Sequence, residues 1–212
     1  MSFKNRPDGN LYYICGASRT GKTVYTTEIM KKLMQNGLNR WLVWDIERDY
    51  YELSGFVTIT NLADLKKAIL HKPTGDLKIA YQPRSLADFG GFCQLGLLWG
   101  ELAPIGFVAE ELADVTTPAK APDGWGQLVR RGMKRGIEIF AITQRPAEAD
   151  KTALGNAKFI TTFYAPRARD RQYMETEMDL EAGAIAQLPK LHYIARDVDN
   201  RKNKKGKLIF AT

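Results

Sequence analysis

Gly16-Ala17-Ser18-Arg19-Thr20-Gly21-Lys22-Thr23 fills every fixed position of the pattern G-x-x-x-x-G-K-[ST]. An apolar run, Leu11 to Cys15, precedes it, and a helical pattern from Lys22 to Gln35 follows until Asn36-Gly37 stops it. A strand, a glycine-rich turn and a helix in that order make a phosphate cradle. Successive backbone N–H groups line a concavity, and glycine permits both the tight turn and the close approach. The start of the helix points its positive dipole end at the same anion. Lys22 is then placed for the β- and γ-phosphates, and the Thr23 hydroxyl for Mg²⁺. The phosphate-binding stretch runs through Val24. A chance match in a chain of this length is about a 1% event.

The rest of the sequence supplies the scaffold such a loop needs. Further strands are expected at Trp41 to Asp45, Leu77 to Tyr81, Ile105 to Ala109, Ile137 to Thr143 and 157–164. Helices are expected from Asn61, as a cap, to Leu70, from Ser85 to Glu101, from Trp125 to Lys134 and from Arg167 to Asp179. Strands separated by helices of this length give parallel βαβ units with helices on both faces. The stretches 190–196 and 205–211, joined by a short polar loop, form an antiparallel hairpin at the end of the chain. The expectation is one α/β domain over residues 1–212, with a mostly parallel sheet.

Two strand ends carry chemistry. Ile105 to Ala109 runs into Glu110-Glu111. Beside a phosphate loop, the first acid holds Mg²⁺ and the second polarises the water that attacks the terminal phosphate. A transfer enzyme such as a nucleotide kinase has no need of that second acid, so Glu111 points to hydrolysis. The strand ending at Thr143 leads into Gln144-Arg145-Pro146. An amide there lies on the ligand side of an open α/β sheet, and Gln144 is placed to bond the γ-phosphate or the attacking water.

Composition limits the partners. With 44% hydrophobic and 26% charged residues, the chain is neither disordered nor fibrous. Its 31 Lys and Arg against 24 Asp and Glu leave a formal charge of +7, which favours a polyanion. Arg130, Arg131, Lys134 and Arg135 are expected on one helix face, and six cations from Arg196 to Lys207 surround the last turn. Tyr50, Tyr51 and Trp125 are candidate exposed aromatics. Cys15 and Cys93 have no partner at metal-ligand spacing and are expected as buried free thiols in a reducing compartment. Neither a signal peptide nor a membrane span is expected.

Ala109 to Val115 (AEELADV) and Arg130 to Pro146 (RRGMKRGIEIFAITQRP) together resemble the FtsK–HerA superfamily of DNA-pumping ATPases. Trp44-Asp45-Ile46-Glu47 followed by Tyr50 is similar to an Asp/Glu/Tyr element of its HerA-type members. The segment ELADVTTPAKAPDGWGQLVRRG and the short chain resemble genome-packaging ATPases of double-stranded DNA phages with an internal membrane. Having Glu110 where most members have Asp is a departure. The resemblance implies a RecA-like fold with the Gln144 strand between the phosphate-loop strand and the acidic-pair strand. It implies ATP and Mg²⁺, a homo-oligomeric ring, with a hexamer favoured, and double-stranded DNA as the substrate moved. It also implies action in the host cytoplasm and at a capsid vertex, with capsid or viral membrane proteins as partners. A neighbouring subunit's arginine would complete each site. Arg130, Arg131, Arg135 and Arg145 are the candidates, with Arg131 or Arg135 preferred. Two alternatives stay open: an ATPase that powers assembly at a membrane without moving DNA, and a P-loop small-molecule kinase.

Overall fold

A computed structural model describes residues 6–209. Along the chain come β1 (Leu11–Cys15), α1 (Lys22–Gln35), β2 (Arg40–Trp44), β3 (Phe56–Ile59), α2 (Leu62–His71), β4 (Leu77–Tyr81) and α3 (Phe89–Leu102). Then follow β5 (Gly106–Ala109), α4 (Leu112–Val115), α5 (Asp123–Arg131), β6 (Glu138–Thr143), α6 (Lys151–Gly155), β7 (Phe159–Phe163), α7 (Ala168–Glu177), β8 (His192–Asp197) and β9 (Lys202–Lys207). The strands form one sheet in the order β3-β4-β2-β5-β6-β1-β7-β8-β9. The first seven are parallel, and β8 and β9 add an antiparallel hairpin. This is the α/β architecture expected from the sequence, with β6 between β5 and β1 as the resemblance implied.

Burial explains the apolar runs. Every residue of β2 and β5 is buried, because a parallel strand is covered on both faces. On one face α1 packs Met30 against Ile14, Trp41, Val43 and Phe140. The other face carries Leu42, Trp44, Phe107 and Ile139 beneath residues of α2, α3, α5, α6 and α7. Asn61 caps α2 as expected, accepting from Asp64 N at 2.9 Å. Among the described residues no helix is long and apolar enough to cross a membrane.

Several expectations are corrected. β3 has no counterpart in the sequence reading: Phe56-Val57-Thr58-Ile59 is largely apolar but only four residues long, half-buried or exposed at the sheet edge, and too short to stand out. The last strand is Lys202–Lys207, earlier and more polar than 205–211, because an edge strand covered by nothing needs no apolar face. Phe210 and Ala211 lie outside the described residues. The helix expected from Ser85 opens as a 3-10 turn, Leu86–Asp88, before α3. The helix expected to reach Lys134 stops at Arg131, and a 3-10 turn, Met133–Arg135, ends on Gly136 at φ 77°. The four basic residues there do not share one helical face. Tyr50 and Trp125 are fully buried, and only Tyr51 is exposed.

Candidate functional site

The loop between β1 and α1 is fixed at its start to the strands on both sides. Gly16 N donates to Thr143 O of β6, and Ala17 N donates to Tyr164 O just beyond β7. Gly16 and Gly21 sit at φ 143° and 110°, a region other residues rarely enter. Within the loop the Thr20 hydroxyl donates to Ala17 O at 2.7 Å, while Ser18 and Arg19 face solvent. Gly21 caps α1 without a side-chain acceptor, and the first turn holds no acid. The leading N–H groups of α1, at Lys22, Thr23 and Val24, therefore have no partner from the cap, and the helix dipole is uncompensated. Lys22 is buried and its ammonium rests on Ala17 O at 3.0 Å. Burial lowers its pKa, and Glu111 is the strongest influence in the opposite direction.

Across the cleft stand the two glutamates. Glu110 is 4% exposed, and its Oε2 is buried with no hydrogen-bond partner. Burial, reinforced by Asp45 and Asp49, pushes its pKa well up. Glu111 adopts φ 46°, ψ 55°, a left-handed conformation that is strained for a residue with a Cβ. That turn brings it to the wall of the cleft beside Gln144, whose side chain and backbone favour the charged carboxylate. Burial raises the Glu111 pKa, while Gln144 and Lys22 oppose the rise. Lys22, Thr23, Glu110, Glu111 and Gln144, placed on three different strand–helix junctions, thus line one cavity of about 590 Å³.

The arginines are placed differently. β6 runs parallel to β1 with Cys15 beside Thr143, so Arg131 and Arg135, which precede β6, lie at the opposite end of the sheet from the loop. Six strand residues separate the two ends, about 20 Å at the usual rise. Arg130 and Arg131 are exposed, whereas Arg135 Nε pairs with Glu101 Oε1 at 2.9 Å. Arg145, beside Gln144, pairs with Glu148 at 3.4 Å.

Sequence reasoning missed Asp49, whose Oδ2 accepts from the Thr23 hydroxyl at 3.1 Å, and the contribution of Glu47 and Asp49 to the cavity wall. The available signal was the acidic alternation Asp45, Glu47, Asp49 directly after a parallel strand, on the sheet's ligand side.

The residues fit a Mg²⁺-bearing triphosphate. The loop offers unpaired N–H groups and a lysine, and the facing wall offers an orphaned carboxylate oxygen. No cluster of three His, Cys, Asp or Glu among the described residues could hold a cation by itself. A magnesium ion is commonly bound by one or two protein groups and the substrate's phosphates.

No protein-family model matches the chain. Protein P9 of Pseudoalteromonas phage PM2 is 30% identical over 179 residues, which is 84% of this chain and 78% of P9. Genome packaging NTPase B204 of Sulfolobus turreted icosahedral virus 2, solved in complex with AMPPCP, superposes with a TM-score of 0.77 at 15% identity, covering 96% of this chain and 99% of B204. The bacterial conjugative coupling protein TrwBΔN70 gives 0.67 at 12% identity, over 95% and 86% of the two chains. The N-terminal domain of zonular occludens toxin from Neisseria meningitidis gives 0.53 at 16%, over 96% and 95%. At such identities the structural likeness concerns the fold.

Proposed function

We propose that the chain, which belongs to one family with protein P9 of phage PM2, is an FtsK–HerA-like P-loop ATPase that hydrolyses ATP to move double-stranded DNA, packaging a viral genome into a preformed capsid. One observation carries the hydrolytic part: Glu111, in its strained left-handed conformation, lines the same cavity as Lys22 and Gln144. The packaging part is supported by the likeness in fold, over nearly the whole of both chains, to the genome packaging NTPase B204.

In this reading the loop N–H groups and Lys22 bind the triphosphate, and Lys22 exchanges its Ala17 carbonyl for phosphate oxygen. Thr23 and Glu110 hold Mg²⁺, which neutralises charge on the phosphates. Glu111 takes the proton of a water positioned by Gln144. Among the described residues, this cavity is lined by no arginine other than Arg19. A neighbouring copy in a ring supplies the one that steadies the transition state, and the exposed Arg130 and Arg131 are the available donors. The exposed lysines of β9 add a phosphate-binding surface.

The test is ATP turnover by the purified chain with and without duplex DNA over a salt series. Stimulation by duplex that falls steeply with salt is expected, because phosphate contacts release counterions. Turnover indifferent to duplex at every salt concentration rules out the motor.

A further inference from the structure

The segment that follows β2 touches both side chains assigned to the metal. Asp45, fully buried at the end of that strand, accepts through Oδ1 from Asp49 N at 2.8 Å and from Tyr50 N at 3.1 Å. Gln82 Nε2 donates to its other oxygen at 3.4 Å. These bonds fold residues 45–50 into a fixed bend, with Arg48 between them at φ 60°. The bend delivers two groups. Asp49 Oδ2 accepts a hydrogen bond from the Thr23 hydroxyl. The Tyr50 hydroxyl, buried and without a completed hydrogen bond, faces Glu110, whose Oε2 is equally unpartnered.

The chemistry of a hydroxyl gives the first contact a meaning. Threonine has one proton to donate and two lone pairs. When its proton is committed to Asp49, the lone pairs are turned elsewhere and the oxygen becomes a better electron donor. Carboxylates that orient and polarise a metal-binding group in this way typically change metal affinity by about 10- to 100-fold. Asp49 is fixed by its own N–H on Asp45, and its carboxylate accepts from that hydroxyl.

We propose that Asp49 is the positioning residue for magnesium: it sets the Thr23 hydroxyl for the cation, while Tyr50 of the same bend steadies Glu110. The bend thereby sets how strongly nucleotide binding depends on Mg²⁺. This inference rests on the ATPase reading of the cavity.

The experiment titrates a fluorescent ATP analogue into the full chain, in EDTA and at stepped Mg²⁺ concentrations. For Asp49→Ala the Mg²⁺ concentration giving half-maximal tightening should rise about 10- to 100-fold, with affinity in EDTA unchanged. Asp49→Asn keeps an oxygen for the Thr23 proton but loses the charge, and should fall between. Tyr50→Phe should shift in the same direction. Thermal unfolding reports that each variant is folded. Wild-type Mg²⁺ dependence in folded Asp49→Ala overturns the proposal, as does equal weakening with and without Mg²⁺. If the wild-type chain binds no ATP under any condition, the reading of the cavity fails, and the failure lies there.

Discussion

Replacing Glu111 by Gln separates binding from hydrolysis. Glutamine matches the volume of glutamate and can still bond Gln144, so the left-handed turn at φ 46° and the cavity wall should persist. What disappears is the acceptor for the water proton. Positioned general bases contribute about 10²- to 10⁴-fold, which is about 3 to 5 kcal/mol of barrier. Nucleotide affinity should hold or improve, because a buried negative charge facing the triphosphate is removed. The same charge gives the pH dependence. Burial raises the Glu111 pKa above the usual glutamate value, so the base is protonated, and turnover falls, at a higher pH than an unperturbed carboxylate would allow. The acid limb of kcat/KM should therefore be shifted upward in the wild type and absent in Glu111→Gln. The assay is phosphate release from pH 5 to 8, paired with fluorescent nucleotide binding. Turnover within about threefold of wild type, against the loss expected of a general base, refutes the role of Glu111. Loss of nucleotide binding along with turnover assigns it to the framework.

Other perturbations probe the scaffold. Asp150 caps α6 through Thr152 N and Ala153 N and also accepts from Trp125 Nε1 at 3.1 Å, all out of solvent. Asp150→Ala loses the cap and strands a buried indole N–H, so urea unfolding should show a loss of about 2 to 4 kcal/mol; a change under about 1 kcal/mol contradicts both roles of Asp150. Gly21→Ala puts a Cβ at φ 110° and 2.3 Å from Leu208 Cδ1. It should abolish nucleotide binding and lower the unfolding midpoint, and an unchanged affinity in calorimetry argues against the cradle. Burial pushes the Cys15 thiol up to about 12 and the Cys93 thiol well up, so both should resist a thiol reagent at pH 8 until the chain is denatured.

Much of this site could be read from the sequence because its parts obey strong local rules. The phosphate loop is a contiguous pattern, and Glu110, Glu111 and Gln144 each end a buried strand whose apolar run announces it. Parallel strands then bring those ends to one edge. What escaped depends on contacts between distant residues. Asp49 looks like an ordinary surface acid until the bend made by Asp45 lays it on Thr23. Tyr50 and Trp125 look like contact aromatics in a polar neighbourhood, but the first is drawn in beside Glu110 and the second by Asp150. β3 escaped because it is only four residues long, and the expectation for β9 falls too late because its own residues are polar while apolar ones follow it.

The backbone strain has a location that the local rules do not explain. Six described residues other than glycine have positive φ. Arg19, Glu111 and Leu191 line the phosphate cavity, and Arg48 lies between two more of its wall residues, Glu47 and Asp49. The other two, Asp179 and Arg201, lie in turns after α7 and between β8 and β9. Such conformations cost about 1 to 3 kcal/mol each and persist only where the surroundings dictate them. At Arg48 the dictating contacts are visible: Asp45 accepts from Asp49 N and Tyr50 N and so closes the bend around it. The same cavity holds the orphaned Glu110 oxygen, with the unpaired Tyr50 hydroxyl beside it. Strained backbone beside an orphaned carboxylate in one cleft means that the fold has been shaped there for a ligand at the expense of its own stability. Substitutions that relax the cleft should therefore stabilise the chain and weaken its chemistry together.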